Sequence, residues 1–158
     1  KSAHFAAYDR VANEFAELVG IDPWLINPYF GQCGKIDFQQ RAGEDCLAAE
    51  VDRVLQQIRA KYAEYGVKET PFVIVKADAG TYGMGIMTVK DASEVRDLNR
   101  KQRNKMAVVK EGLEVSDVLV QEGRLYRHAG VAPRFVDGLV AVNRIHAATK
   151  TNTRRREH

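Results

Sequence analysis

The sequence predicts an α+β or α/β fold, a partial sheet with flanking helices and a glycine-rich hairpin. Three observations lead there. Residues 3–19 and 47–65 repeat apolar side chains at helical spacing, while 72–77, 86–90 and 118–122 read as short strands. The first two strands are joined by a loop holding Gly80, Gly83 and Gly85, short enough to make them an antiparallel pair. With 158 residues, 45% apolar and 28% charged, the chain is long enough for one domain with a real core.

The first helix places Phe5, Tyr8, Val11, Ala12, Phe15, Leu18 and Val19 on one stripe, with Ser2 as N-cap and Gly20 at C′. Residues 21–43 are punctuated by Pro23, Pro28, Gly31, Gly34 and Gly43 and read as irregular. They also carry Trp24, Leu25, Ile26, Tyr29 and Phe30, so a packed loop is expected, or one of which part pairs elsewhere. The second helix has an unbroken stripe, Leu47, Val51, Val54, Leu55, Ile58, Tyr62 and Tyr65, stopped by Gly66. After the hairpin, Asp91 with Glu94 forms a capping-box arrangement, and a third helix is expected to run to about residue 105. The strand 118–122 ends at Gly123.

No apolar run approaches the ~18 residues needed to cross a bilayer, and no signal-peptide pattern opens the chain. With no initiator Met and a helical pattern from the outset, the chain is expected to be a fragment of a longer protein. Cys33 and Cys46 are too few and too unpatterned for a disulfide scaffold or a zinc site; two free thiols in a reducing cytoplasm are expected. Charge is uneven. Residues 1–123 hold 16 Lys and Arg against 19 Asp and Glu, whereas 124–158 hold 8 against 2. The body is mildly acidic and only the tail is basic. The run Arg96, Arg100, Lys101, Arg103, Lys105 reads as a solvated helix face rather than a nucleic-acid contact.

The glycine loop carries the chemical signal. It lacks the Gly-Lys-Ser/Thr of a phosphate loop that opens a helix, and its spacing is not that of a dinucleotide fingerprint. Glycines between antiparallel strands instead suit a flap over phosphates, where bare backbone N–H groups approach closely. Lys76, at the end of the preceding strand, can reach a phosphate. The strand ending Gln121-Glu122-Gly123 has the character of an adenine hinge, with Glu122 able to take a ribose hydroxyl. Each part also has a plain reading: a turn, a solvated lysine, a surface carboxylate.

The order Val75-Lys76, glycine flap and hinge strand resembles the ATP-grasp fold. Longer strings go further: Ser2-Ala3-His4-Phe5, the run from Ile21 to Phe30, the run from Lys76 to Gly85, and the run from Asn99 to Met106 resemble the proteobacterial glutamate–cysteine ligases over about residues 1–123. The resemblance implies that residues 1–123 are part of an ATP-grasp-like ligase domain. ATP would phosphorylate the γ-carboxylate of glutamate, and the amine of cysteine would displace phosphate to give γ-glutamylcysteine, the first step of glutathione synthesis. It implies Lys76 on the phosphates, Gly80, Thr81, Gly83, Met84 and Gly85 as the flap, Gln121 and Glu122 on adenine and ribose, and Mg²⁺ bridging phosphates. No metal ligand is assigned in this chain. Cys33 and the 27–35 loop are candidates for substrate contact. The partners are small molecules, glutamate, cysteine and ATP, with neither membrane nor nucleic acid expected. The alternative is a non-catalytic module whose basic tail binds nucleic acid.

The resemblance stops at Gly123. The family continues into further strands and an acidic, metal-holding stretch, where this chain reads Arg124-Leu125-Tyr126-Arg127-His128 and turns Arg-rich. A divergent basic tail over 124–158 is expected, either disordered or read in a shifted frame. The chain alone is then expected to bind nucleotide weakly and to leave a sheet edge open.

Overall fold

The computed structural model describes residues 1–79, 85–107, 115–123, 125–126 and 134–135. Two compact units are distinguished, one formed by Lys1–Phe5 with Tyr29–Gly123, the other by Ala6–Pro28 with Arg124–His158.

The first unit is a mixed α+β layer. Its sheet has four antiparallel strands in the order β1-β4-β2-β3, namely β1 (Phe30–Cys33), β4 (Val118–Glu122), β2 (Val73–Ala77) and β3 (Ile86–Val89). The hairpin is as expected: β2 pairs β3 with Val73 opposite Val89 and Lys76 opposite Ile86. β2 also pairs β4, with Ile74 opposite Gln121 and Lys76 opposite Leu119.

Because side chains alternate between faces, cross-strand partners share a face. Val73, Val75, Ala77, Val118, Val120 and Cys33 lie on one face, all buried. Helix α2 (Glu44–Tyr65) packs on the sheet through Leu47, Ala48, Val51, Val54, Leu55, Ile58 and Tyr62, each buried. Its predicted stripe is therefore core except for Tyr65, which is half-buried. Leu47, Val51, Val54, Leu55 and Ile58 are fully shielded, so each contributes about 1.5–3 kcal/mol of transfer free energy if the apolar side chain is large. Gly66 closes the helix at φ +65°, its N–H and that of Val67 returning to the last-turn carbonyls.

Of the segment read as irregular, part does pair elsewhere: residues 30–33 form β1, pairing Phe30 with Gln121 and Cys33 with Val118. Four residues including a glycine carry no alternation, so the strand is dictated by its partner. A Cβ at Gly31 would fall 1.6 Å from Glu50 Oε1, the far end of a flexible side chain on α2. One expectation is corrected at the third helix, which is not continuous. It divides into α3 (Ser93–Arg96) and α4 (Arg100–Ala107) because Asn99 and Gln102 form a reciprocal cap, each side chain accepting the other's backbone N–H at 2.9 Å. Half of the expected Asp91–Glu94 capping box is present before α3: Glu94 accepts the Asp91 N–H at 3.1 Å, but the Asp91 carboxylate accepts the Ser93 N–H at 2.9 Å and not that of Glu94.

Helix α1 (Ser2–Val19) forms over the expected span, and only its cap is corrected. Its N-terminal residues belong to the first unit and the rest to the second. Of its apolar stripe Ala12 is buried, as is Ala16 beside it, and Phe5 is half-buried, whereas Tyr8, Val11, Phe15, Leu18 and Val19 are exposed. Ser2 does not cap through its hydroxyl in the usual way, because its Oγ donates to Asp78. Gly20 does take the left-handed C′ conformation, φ +67°. Within the second unit a single 3-10 turn, Pro23–Leu25, starts at Asp22, whose carboxylate accepts the Trp24 N–H. Tyr8 donates its hydroxyl proton to Ile26 O at 2.8 Å. A two-stranded ribbon, β5 (Leu125–Tyr126) with β6 (Arg134–Phe135), is all that is described of the tail. No helix among the described residues is long and apolar enough to cross a membrane.

Candidate functional site

Lys76 and Gln121 project from adjacent strands on the sheet face opposite α2. The register sets them one diagonal step apart, Lys76 facing Leu119 and Gln121 facing Ile74. Lys76 is only 7% exposed, and its Nζ donates to Gln121 Oε1 at 2.6 Å. A buried ammonium costs several kcal/mol unless polar groups or a π face replace its water. Here Gln121 replaces part of that shell and the Phe5 ring another part, its centroid 5.3 Å from Nζ. Phe30, from the edge strand, packs against Phe5 with ring centroids 5.3 Å apart. A cation is thus held in an apolar, aromatic-walled position, where its field is screened far less than at a surface.

Glu122 lies on the other face and is 2% exposed. Its carboxylate Oε2 accepts the Tyr29 N–H at 3.0 Å, while its own N–H donates to Tyr29 O at 2.8 Å. The pair extends the β1–β4 ladder by one step. Gly123 then donates to Phe72 O at 2.9 Å, and a Cβ there would lie 2.0 Å from the Phe72 ring.

Of the predicted flap, Gly80, Thr81, Gly83 and Met84 lie outside the described residues. Gly85 is described: it has φ +61°, and its carbonyl accepts the Ala77 N–H at 3.1 Å, closing the far end of the hairpin. The near end is tied down by residues that sequence reasoning missed. Lys1 Nζ donates to three successive carbonyls, Ala77 at 2.6 Å, Asp78 at 3.1 Å and Ala79 at 3.0 Å. The Asp78 carboxylate accepts the Ser2 N–H at 2.6 Å and the Ser2 hydroxyl at 2.7 Å. Burial pushes the Asp78 carboxyl up, but the Ser2 hydroxyl and N–H that it accepts hold the group below its ordinary value. The string Ser2-Ala3-His4-Phe5 was legible as a resemblance, yet nothing local tied it to Asp78, more than seventy positions away.

The structure brings Lys76 and Gln121 together and leaves Glu122 on the opposite face of the same strand. Cys33, a candidate substrate contact, is buried and turned toward α2. Asn27, in the second unit, donates to Asp9 Oδ1 at 2.6 Å, and its buried Oδ1 has no partner among the described residues. Among the described residues no group of three His, Cys, Asp or Glu side chains converges as a metal site. A cavity of about 360 Å³ lies elsewhere, at the start of α2, lined by Arg41, Gly43, Glu44, Asp45 and Arg96. Its charges are already paired, Arg41 with Glu44 and Arg96 with Asp45, and none of the predicted site residues lines it.

Against this geometry the comparisons with known proteins are specific. The family model described as glutamate-cysteine ligase (GshA) matches residues 1–130. A solved crystal structure from Methylobacillus flagellatus KT, of a protein provisionally assigned as a gamma-glutamylcysteine synthetase, is 71% identical, with a TM-score of 0.72. The match covers 79% of this chain and 30% of that one, so this chain spans less than a third of that protein's length. The comparison with curated proteins found no match.

Proposed function

Because this chain belongs to the glutamate–cysteine ligase family, we propose that it supplies part of the nucleotide site of an ATP-dependent ligase joining glutamate to cysteine. The observation that carries this reading is the buried Lys76–Gln121 pair on the strand face that follows from the β2–β4 register. An ammonium kept in a poorly screened position, one strand away from a carboxamide, suits a phosphate and a base edge better than it suits a structural role alone. On this reading residues 1–123 are part of an ATP-grasp-like domain, a fragment of the whole enzyme working in the cytoplasm, and 124–158 are a divergent basic tail.

The reaction is positional. The γ-carboxylate of glutamate takes the terminal phosphoryl group of ATP, giving a glutamyl phosphate and ADP. The amine of cysteine then attacks the acyl carbon, phosphate leaves and the amide forms. Such chemistry needs alignment and charge neutralisation more than a covalent catalyst. Lys76 neutralises phosphate charge; Gly80, Thr81, Gly83, Met84 and Gly85 close over the phosphates with backbone N–H groups and exclude water. Gln121 holds the adenine edge; Glu122, expected on the ribose, is buried on the opposite face with the Tyr29 N–H on one oxygen and instead fixes the strand that carries Gln121. Lys1 and the Ser2–Asp78 link fix the flap's entry. The described residues offer no convergent carboxylates for Mg²⁺, so no step is assigned through that ion here.

The test is thermal unfolding of the chain with and without Mg²⁺-ATP, beside Lys76→Ala. Ligand at ~100 times its Kd stabilises by about 2.7 kcal/mol. A rise in Tm of several degrees in the parent chain that vanishes in Lys76→Ala is expected. A rise that survives the substitution removes Lys76 from the site, and formation of γ-glutamylcysteine by the longer enzyme carrying the same change then decides its role in turnover.

A further inference from the structure

Cys33 ends the edge strand β1, and Cys46 sits in the first turns of α2. Their spacing in sequence says nothing, yet the fold sets the two Sγ atoms 2.8 Å apart. That is within about 0.8 Å of a disulfide bond length. The two thiols differ sharply in surroundings. Cys46 is exposed; Cys33 is 5% exposed and packed under the helix. Neither residue belongs to the Lys76–Gln121 site, which lies on the other face of the sheet.

We propose that Cys33 and Cys46 are a thiol–disulfide couple, oxidised by the disulfide of a low-molecular-weight thiol, which clamps the edge strand β1 onto α2. The order of events follows from exposure. The Cys46 thiolate attacks R–S–S–R, forming a Cys46–S–S–R mixed disulfide and releasing RS⁻. Cys33 then gives up its proton and attacks Cys46 Sγ, forming the Cys33–Cys46 bond and releasing a second RS⁻. Two cysteine thiols lose two electrons and two protons; R–S–S–R gains them as two R–SH. Burial first, and then the hydrogen bond to Cys46, push the Cys33 thiol up to about 12, so Cys33 is a poor first nucleophile, and its short distance to Cys46 is what drives the second step. The strand so clamped carries Phe30, whose ring buttresses Phe5 beneath the Lys76 ammonium.

The experiment treats the native chain with glutathione disulfide, alkylates the remaining thiols and maps tryptic peptides by mass. Lys35 and Arg41 lie between the two cysteines, so they fall in different peptides and a disulfide appears as a linked pair. The expected result is a linked Cys33–Cys46 pair in monomeric protein, reversed by dithiothreitol, with Tm raised by several degrees over the reduced form. Cys33→Ala should stop at a stable adduct on Cys46, and Cys46→Ala should take up no adduct. A wild-type chain that stays fully reduced, rests as the Cys46 adduct, or links two chains would overturn the proposal. The wild-type map decides this even if a variant fails to fold.

Discussion

Gly123→Ala is the change with the clearest structural cost. A Cβ at this position would stand 2.0, 2.3 and 2.7 Å from three carbons of the Phe72 ring. Carbon atoms rest at about 3.5–4.0 Å, so the overlap is roughly 1.5 Å. Phe72 is 4% exposed and cannot swing into solvent cheaply. Nor can the backbone slide away, since Gly123 N–H is held by Phe72 O and Glu122 N–H by Tyr29 O. Overpacking of this kind costs about 1–3 kcal/mol. For a chain of this length, each kcal/mol moves Tm by roughly 2–4 °C, so a fall of about 2–12 °C is expected. Gly31→Ala is the control. Its Cβ would collide more closely, but with Glu50 Oε1 and Arg53 Nη2, the tips of flexible side chains joined in a half-exposed ion pair. Those tips can turn away, giving up a pair worth about 0–1 kcal/mol. Scanning calorimetry on both variants reads the difference, and adding Phe72→Leu to Gly123→Ala should recover part of the loss. If Gly31→Ala costs as much as Gly123→Ala, the argument that the nature of the struck atom outweighs the depth of overlap is wrong.

Two further outcomes follow from other parts of the fold. The Asp78 carboxyl titrates below its ordinary 3.8, so its contribution to stability is complete above that value and is lost as pH falls through the folded-state value. Asp78→Asn should flatten this part of the stability–pH curve, and an unchanged acid limb would exclude the Ser2–Asp78 link as its source. Leu55→Ala, at a fully buried position on α2, should cost about 2–5 kcal/mol in urea unfolding without changing the slope; a cost under 1 kcal/mol would mean that α2 does not form the core face.

What could be read in advance divides along local and long-range lines. Helix α2 was legible because seven apolar residues at helical spacing and a terminal glycine all agree. The β2–β3 hairpin and β4 were legible because short β-branched runs ended at glycines. Helix α1 was legible as a helix in the same way, though most of its stripe is exposed; a pattern records what a helix could bury, and its partner decides the rest. β1 was hidden because Phe30-Gly31-Gln32-Cys33 is a strand only through β4. The break between α3 and α4 was present in the sequence as Asn99 and Gln102, a cap overlooked amid a run of basic residues. At the site, Lys76 and Gln121 are far apart in sequence, and the β2–β4 register joins them. Phe5, Phe30, Lys1 and Asp78 were not chosen, because each acquires its meaning from a contact at long range. The cysteines were read as unpatterned, which is true along the chain and untrue in space.

The strand order has a consequence for how this unit opens. β1 and β3 occupy the edges, each with one row of ladder bonds, while β2 and β4 are paired on both sides. Local fluctuations peel edges first, and amides on twice-paired, buried strands exchange with solvent only when the whole unit opens. Lys76 and Gln121 therefore stand on the segments that let go last. The edge strand β3 can loosen from β2, and β1 can fray at Phe30, while the polar pair keeps its spacing. Hydrogen exchange should show this as a gradient across the sheet, slowest along the β2–β4 seam and faster toward both edges. A unit so graded keeps its charged contact fixed while the chain around it moves.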